Sequence, residues 1–147
     1  MSEGIPKITI RVVDRNELLA RPVEIGMDEK WSVSSPNFDR RMKSEGIYVL
    51  HIASPSRVIY VGKTRGPSMD FQTRLYRHAT ESASQNSPVY KVLKRINQET
   101  GTPILASLIT TEQLRNLFQG TNLTDAAMVD IYEQLMIHVL RPEIQTE

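Results

Sequence analysis

Two short runs rich in β-branched and aromatic residues, Ile47–Ala53 and Arg57–Lys63, stand on either side of Ser54-Pro55-Ser56. Runs of this composition and length form strands, and a Ser/Pro break between them reads as the turn of an antiparallel hairpin. The hairpin constrains the rest of the fold, because strand side chains alternate between faces and a one-residue slip exchanges the faces. With residues 54–56 as the loop, Tyr48 falls opposite Gly62, and Tyr60 lies diagonally from Tyr48 on the same face. Beyond Lys63-Thr64, Gly66-Pro67 breaks the strand, and Ser68 or Asp70 is positioned to cap a helix. On that helix Arg74 and His78 are four residues apart and therefore neighbours on one face. The segment gathers two phenols, a guanidinium and an imidazole into one region.

The flanking sequence supplies the rest of a small α+β domain. Lys7–Val13 alternates Ile8, Ile10 and Val12 with Thr9 and Arg11, the pattern of a strand. Asn16–Ala20 has room for one or two helical turns before Arg21-Pro22 stops them. Gly26 to Ser44 has no clear period; it reads as a loop packed over the core by Trp31 and Phe38, or as an ordered arm. Its Arg40, Arg41 and Lys43 belong to a surface loop or touch nucleic-acid backbone. Ala79–Asn86 is a Ser-rich loop, after which Ser87-Pro88 caps a helix with the apolar stripe Val89, Val92, Leu93 and Ile96, stopped by Gly101. Pro103–Thr110 is a buried third strand, and Thr110 or Thr111 caps a short helix running to Gln119. The last helix starts at Thr124, with Leu123 and Met128 as a hydrophobic staple, and ends before Pro142. Asp130, Gln134, His138 and Arg141 form its polar stripe, whereas Glu133 lies among Val129, Met136, Ile137 and Leu140. A carboxylate there needs a bound cation, a salt-bridge partner such as Arg74, or partial exposure. The expected architecture is a small, mixed central sheet with a three-stranded core plus an N-terminal strand, flanked by helices. Residues 1–45 are a β-containing extension packed on the principal domain of residues 46–147, the two forming one structural unit.

A chain of 147 residues is long enough to bury a real core as one domain. No apolar run approaches the ~20 residues that span a bilayer, and the N-terminus lacks a signal-peptide pattern, so a cytoplasmic protein without membrane contact is expected. The absence of cysteine excludes disulfides and thiolate–metal sites, and three scattered histidines do not suggest zinc. The net charge of +1 hides an uneven distribution. Residues 57–95 carry eight basic side chains (Arg57, Lys63, Arg65, Arg74, Arg77, Lys91, Lys94 and Arg95) against Asp70 and Glu81. The segment before them is balanced, with eight of each sign, and the segment after is acidic, with two basic residues against seven. Phosphate binding needs clustered cations of this kind, because neutralising phosphates releases counterions; a solvated basic face has the same composition. Lys91 and Arg95, four apart on the outer side of their helix, line a phosphate track or face solvent.

Gly46-Ile47-Tyr48, followed by Tyr60-Val61-Gly62 and Lys63-Thr64, resembles the paired signature of the GIY-YIG nuclease superfamily. Arg74 and His78 match that family's helix motif, an Arg followed four residues later by His or Tyr. Its metal-binding Glu, nine residues before a Pro, matches Glu133 and Pro142. Gln145 stands where the family usually has Asn, and the stretch from Tyr60 to Arg74 is a few residues longer than in many members. The resemblance covers Gly46 to Gln145, about two-thirds of the chain.

What the resemblance implies is a divalent-metal-dependent endonuclease acting on phosphodiester bonds, with DNA the expected partner and Mg²⁺ (or Mn²⁺) the expected cofactor. Glu133 would hold the ion, which suits Mg²⁺ because that ion keeps several waters and takes phosphate oxygens as ligands. Arg74 would stabilise phosphate charge. Tyr48 is the preferred general base, with Tyr60 and His78 orienting or relaying the proton; His78 as the base is the variant. A phenol with a pKa near ~10 needs cations beside it for that role, and Arg74, Lys63 and the metal are the candidates. Lys63, Arg65, Arg77, Lys91 and Arg95 are the expected nucleic-acid contacts, and Gly46, Gly62 and Gln145 the supporting residues. His51 and His138 match no family position. Two other readings stand beside this one: a nucleic-acid-binding module of the same fold that has lost catalysis, and a delivered nuclease toxin with an immunity partner.

Overall fold

The computed structural model describes residues 7–28, 39–54, 56–64, 69–81 and 87–144. At its centre the hairpin forms from two eight-residue strands, Gly46–Ala53 and Ser56–Lys63. In chain order the strands are β1 (Thr9–Ile10), β2 (Val23–Ile25), β3 (Gly46–Ala53), β4 (Ser56–Lys63), β5 (Ile104–Thr110) and β6 (Phe118–Gln119). The helices are α1 (Arg15–Leu18), α2 (Phe71–Ala79), α3 (Pro88–Thr100), α4 (Thr111–Leu117) and α5 (Asp125–Leu140), with a short 3-10 turn at Arg40–Lys43. The described residues thus form an α+β fold with two antiparallel sheets rather than a mixed one, one of four strands in the order β2-β5-β3-β4 and one of two strands, β1-β6.

Tyr48 pairs with Gly62, as expected, but by a route with two departures. Ala53 pairs with Ser56, so the strands run one residue closer to the turn than a loop of residues 54–56 allows. The register then shifts between Leu50 and His51, where Ile59 is the extra residue of a β-bulge. The bulge takes back the shift, and Tyr48 and Tyr60 return to one face.

Each face of the four-stranded sheet carries its own core. One cluster joins Tyr48, Leu50 and Ile52 of β3, Ile59 and Tyr60 of β4, and Ile104, Ala106 and Leu108 of β5 to Phe71 and Leu75 of α2 and to Val89, Leu93 and Ile96 of α3. The other joins Ile47, Val49, Val58, Val61 and Ile109 to Leu114 and Leu117 of α4 and to Met128, Val129, Tyr132, Met136 and Leu140 of α5. The side-chain period of two along β3 and β5 sorts the residues between these layers.

The helices start where short polar side chains satisfy their first N–H groups. Asp70 accepts from the Thr73 N–H, Ser87 from Val89, Thr110 from Gln113 and Thr124 from Ala127. Gly101, at φ 66°, ends α3 as expected. Arg141, at φ 50°, ends α5, and the chain then runs beside the edge strand: the Glu143 and Ile144 N–H groups donate to the carbonyls of Val58 (3.1 Å) and Ile59 (2.9 Å). Leu123, expected to staple α5, is instead exposed.

The N-terminal extension departs most from expectation. Of the strand expected at Lys7–Val13, only Thr9–Ile10 pairs, and with β6 rather than the central sheet. The next hydrogen bonds of this segment go to the α4–α5 layer: the Arg11 N–H donates to the Leu117 carbonyl, and Tyr132 Oη donates to the Arg11 carbonyl and accepts from the Val13 N–H, both at 2.9 Å. The fourth strand of the main sheet is β2, paired with β5 and followed in the chain by Gly26–Asp28. The helix expected to run to Gln119 stops at Leu117, because Phe118–Gln119 forms the strand that receives β1. Trp31, Pro36 and Phe38, together with Gly66-Pro67, Ser68, Arg65 and Gln145, lie outside the described residues. Among the described residues no helix is long and apolar enough to cross a membrane.

Candidate active site

Four of the five expected catalytic side chains meet on the α2–α3 side of the sheet. Tyr48 lies on β3, one step along from Leu50, the partner of Tyr60 on β4, and the two phenol rings are 6.2 Å apart by centroid. Arg74 and His78 come from successive turns of α2, which docks on this face through Phe71 and Leu75. The His78 ring lies 5.6 Å from that of Tyr48 and 5.4 Å from that of Tyr60. Tyr48 Oη is 2.7 Å from His78 Nε2, a short hydrogen bond in which the phenol donates to neutral imidazole or accepts from imidazolium. Arg74 Nη2 makes a longer contact to the same oxygen, 3.5 Å. One phenol oxygen is thus held between an imidazole and a guanidinium.

The two motif glycines have packing reasons. A Cβ at Gly62 would overlap the hydroxyl end of the Tyr48 ring lying over it. Gly46 has φ 150°, and a Cβ there would run into the Ile109 carbonyl of β5. Its N–H donates to Thr64 Oγ1 (2.9 Å), and its carbonyl accepts from the Thr64 N–H (3.0 Å). Gly62 therefore leaves room for the Tyr48 ring, while Gly46 lets the start of β3 lie close against β5.

Access is unequal within the cluster. Tyr48 and His78 are both 0% exposed, whereas Tyr60 is 8% exposed and Arg74 is partly exposed. Tyr60 and Arg74 are therefore the members of the cluster with more exposed surface.

Glu133 comes from another layer of the fold. It projects from α5, which packs on the opposite face of the sheet, and it is ion-paired with Lys63 at 3.3 Å, where the sequence had offered Arg74 as a partner. Lys63 ends β4 and shares the parity of Val61, which faces α5. Its ammonium also donates to Asp130 Oδ1 at 2.6 Å, so Asp130 and Glu133, one turn apart, bracket a single cation. Asp130 was missed as part of the site because its helical position reads as surface stripe. A half-buried carboxylate that already accepts a cation has the right chemistry to hold a divalent ion, and Mg²⁺ needs only one or two protein carboxylates. Among the described residues no group of three His, Cys, Asp or Glu side chains assembles to hold a metal without substrate.

The basic middle of the chain is partly neutralised by its surroundings. Arg57 forms a bidentate pair with Glu143, at 2.6 and 2.7 Å, and Lys94 pairs with Asp28 at 2.6 Å. With Lys63 held by Asp130 and Glu133, Arg57, Lys63 and Lys94 are all paired, among the described residues, with acids from the flanking thirds. Arg77 on α2 and Lys91 and Arg95 on α3 are exposed and stand on the side of the sheet that carries the tyrosines. Of the earlier trio, Arg41 is tied to Asp39 and to the Arg21 carbonyl, while Arg40 and Lys43 are exposed along a cavity of about 620 Å³ shared with Thr110–Gln113 and Arg115. Comparison with known families, curated proteins and solved structures returns no match to this chain.

Proposed function

We propose that this chain is a divalent-metal-dependent endonuclease that hydrolyses phosphodiester bonds, with DNA as substrate. The observation that carries the reading is the Tyr48–His78 hydrogen bond of 2.7 Å with Arg74 at the same oxygen. This arrangement supports proton transfer beside a bound anion. The phenol can pass its proton to His78 Nε2, and the guanidinium favours the phenolate that results. The pair then accepts a proton from the attacking water, directly or through Tyr60, whose ring packs on both. Arg74, partly exposed, is shaped to meet two phosphate oxygens at once. A divalent cation on Glu133 would neutralise phosphate charge and acidify its bound water. Arg77, Lys91 and Arg95 extend positive charge along the same side of the sheet and suit a nucleic-acid backbone.

A second reading, the binding module without catalysis, is favoured by one observation. The Lys63 ammonium stands beside Glu133, whose helix packs on the opposite face of the sheet from α2. Nicking of supercoiled plasmid with Mg²⁺ or Mn²⁺ separates the two, comparing wild type with Glu133→Ala, Arg74→Ala and Tyr48→Phe. Cleavage by wild type that the substitutions abolish, with folding intact by thermal melting, supports the nuclease. Firm, salt-sensitive DNA binding without cleavage, unaffected by Glu133→Ala, supports the binding module instead.

A further inference from the structure

We propose that Asp28, in the N-terminal extension, is a positioning residue for α2: it fixes the end of the helix that carries His78 and so holds His78 against Tyr48. The proposal rests on the nuclease reading for its consequence in catalysis, but not for its geometry.

His78 sits in the last turn of α2, a helix of nine residues. A helix this short is marginal alone, and its final carbonyls need partners from outside. The chain leaves α2 at Thr80 in an extended conformation, and the partner comes from Asp28. The Asp28 N–H donates to the Ala79 carbonyl (2.6 Å), one residue beyond His78. The Asp28 carboxylate accepts from the Glu81 N–H (2.8 Å), so both sides of the helix exit are tied to one residue. The same carboxylate takes the Tyr90 hydroxyl (2.9 and 3.1 Å) and the Lys94 ammonium (2.6 Å), which are neighbours one turn apart on α3. Asp28 makes these contacts at φ 60°, a left-handed conformation that Asp tolerates better than most residues. Met27 beside it packs into the core that holds Tyr48 and Tyr60. One side chain therefore links the turn after β2, the end of α2 and the face of α3. The Tyr48–His78 contact of 2.7 Å is sensitive to that link. A displacement of α2's end by about 1 Å takes the pair outside hydrogen-bonding range.

The test uses the full chain as wild type, Asp28→Ala and Asp28→Asn, with three readouts: the ¹⁵N signals and titration of the His78 ring by NMR, plasmid nicking, and thermal melting. For Asp28→Ala we expect shifted His78 ring signals and kcat lower by about tenfold or more at a temperature well below melting, with KM for DNA within about twofold. Asp28→Asn keeps an acceptor for Glu81 and Tyr90 and should recover at least a third of the wild-type kcat and most of the His78 signature. Unchanged His78 signals in Asp28→Ala overturn the proposal, as does a nicking rate that follows only the fraction folded. Should Asp28→Ala fail to fold, Asp28→Gly, which removes the carboxylate and tolerates φ 60°, carries the same comparison against Asp28→Asn. If wild type does not nick DNA the nuclease reading fails, and the NMR comparison still decides whether Asp28 positions His78.

Discussion

Gly62→Ala tests why the second motif ends in glycine. On backbone propensity alone, alanine is the better residue for the middle of a strand, and the substitution should stabilise. The structure reverses that sign. The new Cβ meets Oη, Cζ and Cε2 of Tyr48, all closer than real Cβ contacts allow. The ring has nowhere to go, because it is fully buried between Phe71 (centroids 6.4 Å), Tyr60 (6.2 Å) and His78 (5.6 Å). Overpacking a well-filled core costs about 1–3 kcal/mol, and with no relief available the upper part of that range is expected. Urea denaturation of wild type, Gly62→Ala, Tyr48→Leu and the double variant forms a cycle that isolates the clash. Leucine removes all three overlapped atoms, so Gly62→Ala should cost less than about 1 kcal/mol in that background, a coupling of roughly 2 kcal/mol. Equal costs in the two backgrounds, within about 0.5 kcal/mol, would show that Gly62 is required for some reason other than Tyr48.

Three further outcomes follow from the geometry. His51, 3% exposed and hydrogen-bonded to Ser107 (2.9 Å), has its pKa lowered from 6.5 to about 4, first by burial and then by the nearby Arg15. Its folded pKa lies below the unfolded one, so the unfolded chain binds more protons between those values. Stability is complete above pH 6.5 and falls by about 3 kcal/mol as pH drops toward 4; urea midpoints across that window should slope in wild type and flatten in His51→Gln. Lys63→Met leaves Glu133, whose side chain is 13% exposed, without its ion pair; a loss of about 1–2 kcal/mol is expected by thermal melting, and no loss would mean the pair contributes nothing. Tyr132→Phe strands the Val13 N–H and the Arg11 carbonyl, and should cost about 1–2 kcal/mol while raising amide hydrogen exchange at Val13 ahead of the sheet.

The sequence was most legible where the relevant distances are short along the chain. Tyr48 opposite Gly62, and Arg74 one turn from His78, follow from periods of two and 3.6 residues, and the structure has both. The hairpin shows how such a reading succeeds through compensation. The turn is tighter than Ser54-Pro55-Ser56 suggests, and the bulge at Ile59 restores the pairing. Nothing in the alternation of Arg57–Lys63 marks Ile59 as the extra residue, since Val58, Ile59 and Val61 are all apolar and all buried. The N-terminal third was misread for a related reason. Lys7–Val13 has the alternation of a strand, but its hydrogen bonds are divided among β6, the Leu117 carbonyl and Tyr132 Oη, partners more than a hundred residues away. Val23–Ile25, which does join the main sheet, is too short for a period to register.

Charge was the least legible property, because its meaning depends on which opposite charges the fold delivers. Residues 57–95 look like a continuous basic track in sequence, yet Arg57, Lys63 and Lys94 each meet an acid from outside that span. The cations that stay exposed, Arg77, Lys91 and Arg95, are carried by the two helices that cover the tyrosine cluster. Pairing has thus trimmed the basic character at β4 and at Lys94 and left exposed cations on α2 and α3. Lys63 is the pivotal case. Held by Asp130 and Glu133, its ammonium lies on the α5 side of β4, while its neighbour Gly62 supports Tyr48 on the other. A phosphate drawing Lys63 toward itself must compete with two carboxylates, and a cation arriving at Glu133 weakens that competition by taking one of them. The two expected roles, Lys63 on phosphate and Glu133 on metal, are therefore coupled: each becomes more favourable once the other is filled. Mn²⁺ should tighten DNA binding in wild type and lose most of that effect in Lys63→Met, with fluorescence anisotropy as the assay. An equal Mn²⁺ effect in both proteins would separate the two roles.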